Sequence, residues 1–285
     1  MKPRERTVSG LLLVLFSVML AAASEQELRR PVAMDKISSG DLFVLGLSGN
    51  LYRLRTQPGG MSLIGQTRLP NTSSPVDLTS AKLNGVEVLF VSYNTEKFGA
   101  VSSYSLDGKV NRTWWLRSGA SGLDVDYVTQ TLYVASSDSG EISSIDLKGG
   151  DGVPKHTASI RDAQKLGPLV LNVPRKMLYV ADVESGNVYE VNLADGKTRL
   201  LVPKAGIPQA MLVLEDRNIL LLADSVGRKI YSVQLGVANA RPTVLAALPP
   251  FRSPSGLARL ARDQIAVSDD ATGKIFVLAL DGKLL

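Results

Sequence analysis

One hairpin pattern is written six times along this chain, and that repetition limits the fold more than any other feature. "LYVADVESGNVYEVNLADG" at 178–196 closely matches "LYVASSDSGEISSIDLKGG" at 132–150: an apolar tetrad, a polar turn with Gly, then a second strand. The same pattern recurs in "LFVLGLSGNLYRL", "LFVSYNTEKFGAVSSYSL", "LLLADSVGRKIYSVQL" and "IAVSDDATGKIFVLAL". The six copies start at 42, 89, 132, 178, 220 and 265, so neighbouring starts are 42 to 47 residues apart. A period of that length, with only strand signals between copies, predicts the blades of a β-propeller.

Each unit has room for four strands. A short inner strand such as "SGLDVDYVTQT" or "PSGLARLARDQ" precedes the hairpin, and an outer strand such as "KTRLLVP" or "PTVLAAL" follows it. The tetrads "LYVA", "LLLA" and "IAVS" are apolar without alternation, as expected of a strand covered on both faces by neighbouring blades. The expectation is an all-β, six-bladed propeller of four-stranded antiparallel blades, with residues 25–285 forming one domain. The last unit stops at "LDGKLL" with its outer strand short or missing, and "EQELRR" stands ahead of the first inner strand. The N-terminal segment is therefore expected to complete the last blade and to cover an edge that an open array would expose.

Residues 1–24 are set apart. Lys2, Arg4 and Arg6 precede an uncharged run from Val8 that ends in Ala21-Ala22-Ala23, which is the order of a secretory signal peptide. The alternative is a retained anchor, because the run is only slightly short of a bilayer span. Cleavage lowers the formal charge from +5 to +3. With no dense basic run, nucleic acid is not an expected partner. The membrane enters only through an uncleaved signal segment. The chain has no cysteine, which excludes thiol catalysis, thiolate metal sites and disulfides. A secreted or periplasmic, monomeric protein is expected. In a eukaryotic secretory route, Asn71-Thr72-Ser73 and Asn111-Arg112-Thr113 would be sequons.

The stretch "SGLDVDYVTQTLYVASSDSGEISSIDLKG" resembles the NHL-type repeat, and residues 31–285 resemble the six-bladed TolB-like propellers more broadly. That group includes the YWTD, senescence-marker/gluconolactonase and strictosidine-synthase-like families. Resemblance to the gluconolactonase-like enzymes implies a divalent cation such as Ca²⁺ in the central channel, held at the starts of inner strands. The matching positions here are Val76 or Asp77, Ser121, Gly167, Gln209 and Ser255, of which only Asp77 is a carboxylate. The family's "E-G-P" metal ligand is not visible, and "N-G-L" is represented only by "S-G-L". No cofactor is expected on these residues, with a cation at Asp77 as the alternative.

Asp182, Asp224 and Asp269 share the position after the tetrad, where Ser136 and Tyr93 stand in other units. A short acceptor there can bond the N–H groups of the following turn. The alternative is a ring of carboxylates near one channel mouth that holds a cation. The sole histidine, His156, falls on an expected outer strand, and no G-x-S-x-G elbow is present, so no Ser-His-Asp triad or multi-histidine zinc site can be assembled. "ADGKT" lacks the first P-loop glycine, since Val191 stands there, and reads as a turn. Trp114 and Trp115 are adjacent on an expected outer strand, where successive side chains face opposite ways. If one packs between blades, the other is available to a protein or glycan partner. The expected function is that of a non-catalytic binding or interaction module with a protein, small-molecule or glycan ligand. A divergent cation-dependent hydrolase is the alternative.

Overall fold

The computed structural model describes residues 28–57, 60–149, 152–237, 240–247 and 251–285. The expected signal segment and Glu25–Glu27 lie outside these. The described chain forms six antiparallel sheets, each from consecutive strands, five of four strands and one of three. The inner strands are Pro31–Lys36, Pro75–Leu83, Ala120–Asp126, Leu166–Asn172, Pro208–Leu214 and Pro254–Ala261. Each packs beside the next, and the sixth packs against the first, which closes the ring around a central channel. The six-bladed propeller expected from the repeat is therefore the observed fold.

The apolar tetrads become the second strand of each blade. Leu42–Gly46, Met177–Asp182 and Ile219–Asp224 are buried over almost their whole length. Their side chains feed alternately into the two neighbouring interfaces. Leu178 and Val180 join the cluster between blades 3 and 4, while Tyr179 and Ala181 join that between blades 4 and 5. Each fully buried Leu or Val contributes about 1.5–3 kcal/mol, so the energy holding the ring together lies in the blade interfaces, and a single blade could not bury both faces.

The ring closes through both chain ends. The last blade has three strands, Pro254–Ala261, Gln264–Asp269 and Lys274–Ala279. At one end of its open edge Leu284 bridges Leu278, and the Leu285 N–H donates to the Val277 carbonyl at 2.9 Å. At the other end Leu28 is buried, and its N–H donates to the Gly273 carbonyl at 2.8 Å. In blades 3 and 4 the Ile160 and Ala205 N–H groups make the same bond to Gly140 and Gly186, just past the outer strands Lys155–Ser159 and Thr198–Val202. Leu28 thus stands where an outer strand ends. Gly273 has a φ of 68° and lies against the Leu28 backbone, so the left-handed turn and the close approach both require glycine there. Ser255 Oγ donates to the Pro31 carbonyl at 2.5 Å, Lys36 Nζ to the Leu260 carbonyl, and Arg30 pairs with Asp270 at 2.9 Å across the same seam.

Candidate functional site: the central channel

The inner strands alternate, so every second residue faces the channel. The wider compartment, about 540 Å³, opens at one mouth and is lined by Asn94, Ser121, Ser137, Gln209, Ser225 and Ser253, among others. Val76, Asp77, Gly167 and Ser255 line it too, so the structure brings every inner-strand position singled out in the sequence to one mouth. A second compartment of about 280 Å³ lies beyond it. Asp77, Pro168 and Ser255 line both.

Asp77 has two carboxylate neighbours that the sequence reading missed, Asp35 and Asp124. Asp35 pairs with Phe43, Thr79 with Phe90 and Asp124 with Tyr133 across the first hairpin of their blades. Phe43, Phe90 and Tyr133 are the second residues of their tetrads, so Asp35, Thr79 and Asp124 share one level of the channel. Blades 4 to 6 put Val170, Leu212 and Ala258 there. One half of the channel is therefore acidic and hydroxylated, and the other half apolar. The available signal was the parity of "SGLDVD", in which Asp124 lies two residues beyond Gly122.

Each of these carboxylates ties its blade to the next. Asp35 accepts the Lys36 N–H at 2.7 Å on one oxygen, and the Ser80 N–H at 2.6 Å and hydroxyl at 2.7 Å on the other. Asp77 accepts the Leu78 N–H at 2.9 Å and the Leu123 N–H at 3.1 Å. Asp124 accepts the Val125 and Leu171 N–H groups at 2.8 Å each, and the Thr79 hydroxyl at 3.2 Å. By surface area all three are half-buried, because they touch the channel space. Protein nevertheless surrounds them, and this depth dominates their titration, since a narrow channel does not solvate charge as bulk water does. Burial pushes Asp77 up to about 7, with the Asp124 and Asp35 charges adding to the shift. Burial likewise pushes Asp124 up to about 7, with Asp35 adding. Asp35 is raised by burial against its bonds to Ser80 and Lys36.

The cation implied by the resemblance does not fit this donor set. On the level of Asp77 or in the bulge beside it, the other inner strands present Ala33, Gly122, Pro168, Ala210 and Gly256, none with a side-chain oxygen, and the side-chain oxygens above them, on Ser121, Gln209 and Ser255, are neutral. Among the described residues no three His, Cys, Asp or Glu side chains are grouped to hold a metal ion.

The post-tetrad aspartates are buried and bond loops. Asp182 accepts the Glu184 N–H at 3.0 Å and the Ser185 hydroxyl at 2.8 Å. Asp224 accepts the Ile207 and Gly227 N–H groups. Asp269 accepts the Arg252 and Ser253 N–H groups at 2.7 Å each, and the Thr272 N–H and hydroxyl at 2.9 Å. Each carboxylate joins its own hairpin turn to the loop entering its blade. In blade 2, Asn94 instead ties the hairpin to the next blade, exchanging two bonds with the Ala120 backbone.

The two tryptophans lie on the outer strand Val110–Leu116 and face opposite ways. Trp114 packs between blades 2 and 3, 6.2 Å from Phe90 between ring centroids and with the Arg112 guanidinium 5.2 Å from its ring centroid. Trp115 is 58% exposed. His156 lies on the outer strand Lys155–Ser159, exposed and 2.8 Å from the Ser159 hydroxyl. "ADGKT" is the turn into an outer strand, where Lys197 pairs with Asp195.

No family model matches the chain, and no curated protein matches it in sequence. Solved structures do match in shape. One, from a nidogen/laminin complex, has a TM-score of 0.68 at 16% identity, covering 83% of this chain and 89% of that one. A streptogramin B lyase has a TM-score of 0.66 at 13% identity, covering 90% of this chain and 82% of that one. At such identities the likeness shows the propeller fold alone.

Proposed function

We propose that this chain is an exported, non-catalytic binding module of the NHL-type, TolB-like kind that takes its ligand at the open mouth of the channel. The observation carrying this reading is the division of labour along the channel. Asp35, Asp77 and Asp124 hold adjacent blades together through backbone N–H groups. The mouth above them offers hydrogen-bonding groups, mostly neutral ones such as Ser121, Ser137 and Gln209 with Lys165 and Asp270 also in the lining, in a cavity of about 540 Å³. That volume suits a small ligand or one protruding segment of a larger partner. A thermal-shift screen of small polar molecules and glycans tests the reading, because a ligand specific to the folded state raises the melting temperature. Stabilising ligands are expected, and Gln209→Trp, which fills the mouth, should abolish their effect. Ligands whose effect survives that substitution would place the site elsewhere.

The second reading, a divergent hydrolase of the gluconolactonase class, draws on one feature. Asp77 borders both compartments with its carboxyl pushed up to about 7, where a general acid or base works best. Lactone and ester hydrolysis with and without Ca²⁺, Mn²⁺ or Zn²⁺ separates the two. Background turnover in every condition supports the binding module. Metal-dependent turnover lost in Asp77→Ala overturns it.

A further inference from the structure

A separate cavity lies at the junction of blades 1 and 2 and shares no lining residue with the channel mouth. It measures about 730 Å³, and its lining includes Arg68, Pro70, Asn71, Thr95, Thr113 and Trp115. Its parts come from two blades. Arg68 ends the outer strand Gly60–Arg68 of blade 1, Asn71 sits in the linking loop, and Trp115 lies on the outer strand of blade 2. The loop is fixed from below: the Tyr104 hydroxyl donates to the Pro70 carbonyl at 3.1 Å, and the Thr72 hydroxyl to the Leu69 carbonyl at 3.0 Å.

Three features of this groove serve no contact that holds the fold. Trp115 leaves more than half of its surface in water, at 58% exposure, although a buried indole would contribute several times what an exposed one does. Arg68 is exposed and has no ion pair or side-chain hydrogen bond among the described residues. The lining contains no Asp or Glu, so the cation is unopposed. Asn71 is exposed and held in the left-handed region at φ 62°, with its amide unengaged among the described residues.

An aromatic face, a planar cation and neutral amide and hydroxyl groups match one ligand chemistry closely. A sugar ring offers C–H groups to stack on indole and hydroxyls for the Asn71 amide, and a uronic acid adds a carboxylate for the guanidinium fork. The groove, at about 730 Å³, is of small-ligand size. We propose that this groove binds an acidic, uronate-containing glycan, with Trp115 as the stacking platform and Arg68 as the carboxylate contact. The site is independent of the channel mouth.

The experiment titrates the protein with a galacturonic-acid tetrasaccharide, the neutral galactose tetrasaccharide and a poly-glutamate peptide, by calorimetry and tryptophan fluorescence. The acidic sugar should bind in preference to the other two, shift the emission of the exposed indole to shorter wavelength, and weaken as salt is added. Trp115→Ala should lower its affinity by about tenfold or more, and Trp115→Tyr by less. Arg68→Gln should weaken the acidic sugar about tenfold while leaving weak neutral-sugar binding unchanged. Unchanged melting curves would show that the exposed substitutions leave the fold intact, and Gln209→Trp should leave this binding untouched, which separates it from the channel reading. No binding of the acidic sugar, equal binding of the neutral sugar or the peptide, or affinity indifferent to Trp115 and Arg68 would overturn the proposal.

Discussion

Raising the pH from 4 to 8 should destabilise this protein, the reverse of what paired surface carboxylates produce. Asp77 and Asp124 rise from an ordinary 3.8 to about 7 in the folded ring. The folded state thus holds their protons more tightly than the unfolded chain does. Stability from these groups is fully present below pH 4 and is lost as pH climbs through 7. A change from 3.8 to about 7 corresponds to about 4 kcal/mol for one carboxyl at the limit, which is a large part of a typical stability of about 5–15 kcal/mol. For a chain of this length, about 4 kcal/mol lowers the melting temperature by roughly 10 °C. Asp35 acts in the same direction. The charges facing this cluster are Glu87, whose field raises Asp35 further, Glu215, which lines the same compartment, and Lys36, which bonds the Leu260 carbonyl instead. Asp41 opposes the trend in a separate window, because its bonds from Arg55 and Arg53 hold it below 3.8 and its contribution fades only in stronger acid. Urea unfolding between pH 4 and 8 reads the slope directly. Asp77→Asn combined with Asp124→Asn should flatten it, at the cost of hydrogen bonds worth about 1–3 kcal/mol each. Constant stability across this range, or an undiminished slope in the double variant, would show that these carboxyls do not set the pH dependence.

Asp269→Ala strips the acceptor from three N–H groups and a hydroxyl at a fully buried site. It should cost about 2–5 kcal/mol with or without added Ca²⁺, and a destabilisation restored by the cation would contradict the turn-bonding role. Leu28→Ala empties the seam where the chain start meets the last blade and should cost about 2–4 kcal/mol in urea unfolding; an unchanged midpoint would mean that closure does not depend on it. Gly122→Ala places a Cβ against the Leu169 backbone of the next blade and should destabilise by several kcal/mol, whereas Gly85→Ala meets open space and costs only the strain of its φ of 84°. N-terminal sequencing of the exported protein should begin near Ser24, and an intact Met1 in a membrane pellet would defeat the signal-peptide assignment.

The repeat spacing determined the blade count, because a tetrad buried on both faces leaves its pattern in the sequence wherever it occurs. Strand alternation likewise placed Trp114 and Trp115 on opposite sides, and the terminal motifs pointed to a seam shared by both chain ends. Asp35 and Asp124 remained hidden because a carboxylate on an inner strand looks the same in sequence whether it meets water or the next blade. Its partner N–H lies 45 to 47 residues away, one repeat on, and only the register between neighbouring blades brings the two together. The same holds for Arg68 and Trp115. They stand on separate outer strands, and the groove between them exists only once two blades have packed. Local pattern fixes which residues are strands and which faces are apolar, whereas sites that join one repeat to the next are set by tertiary packing.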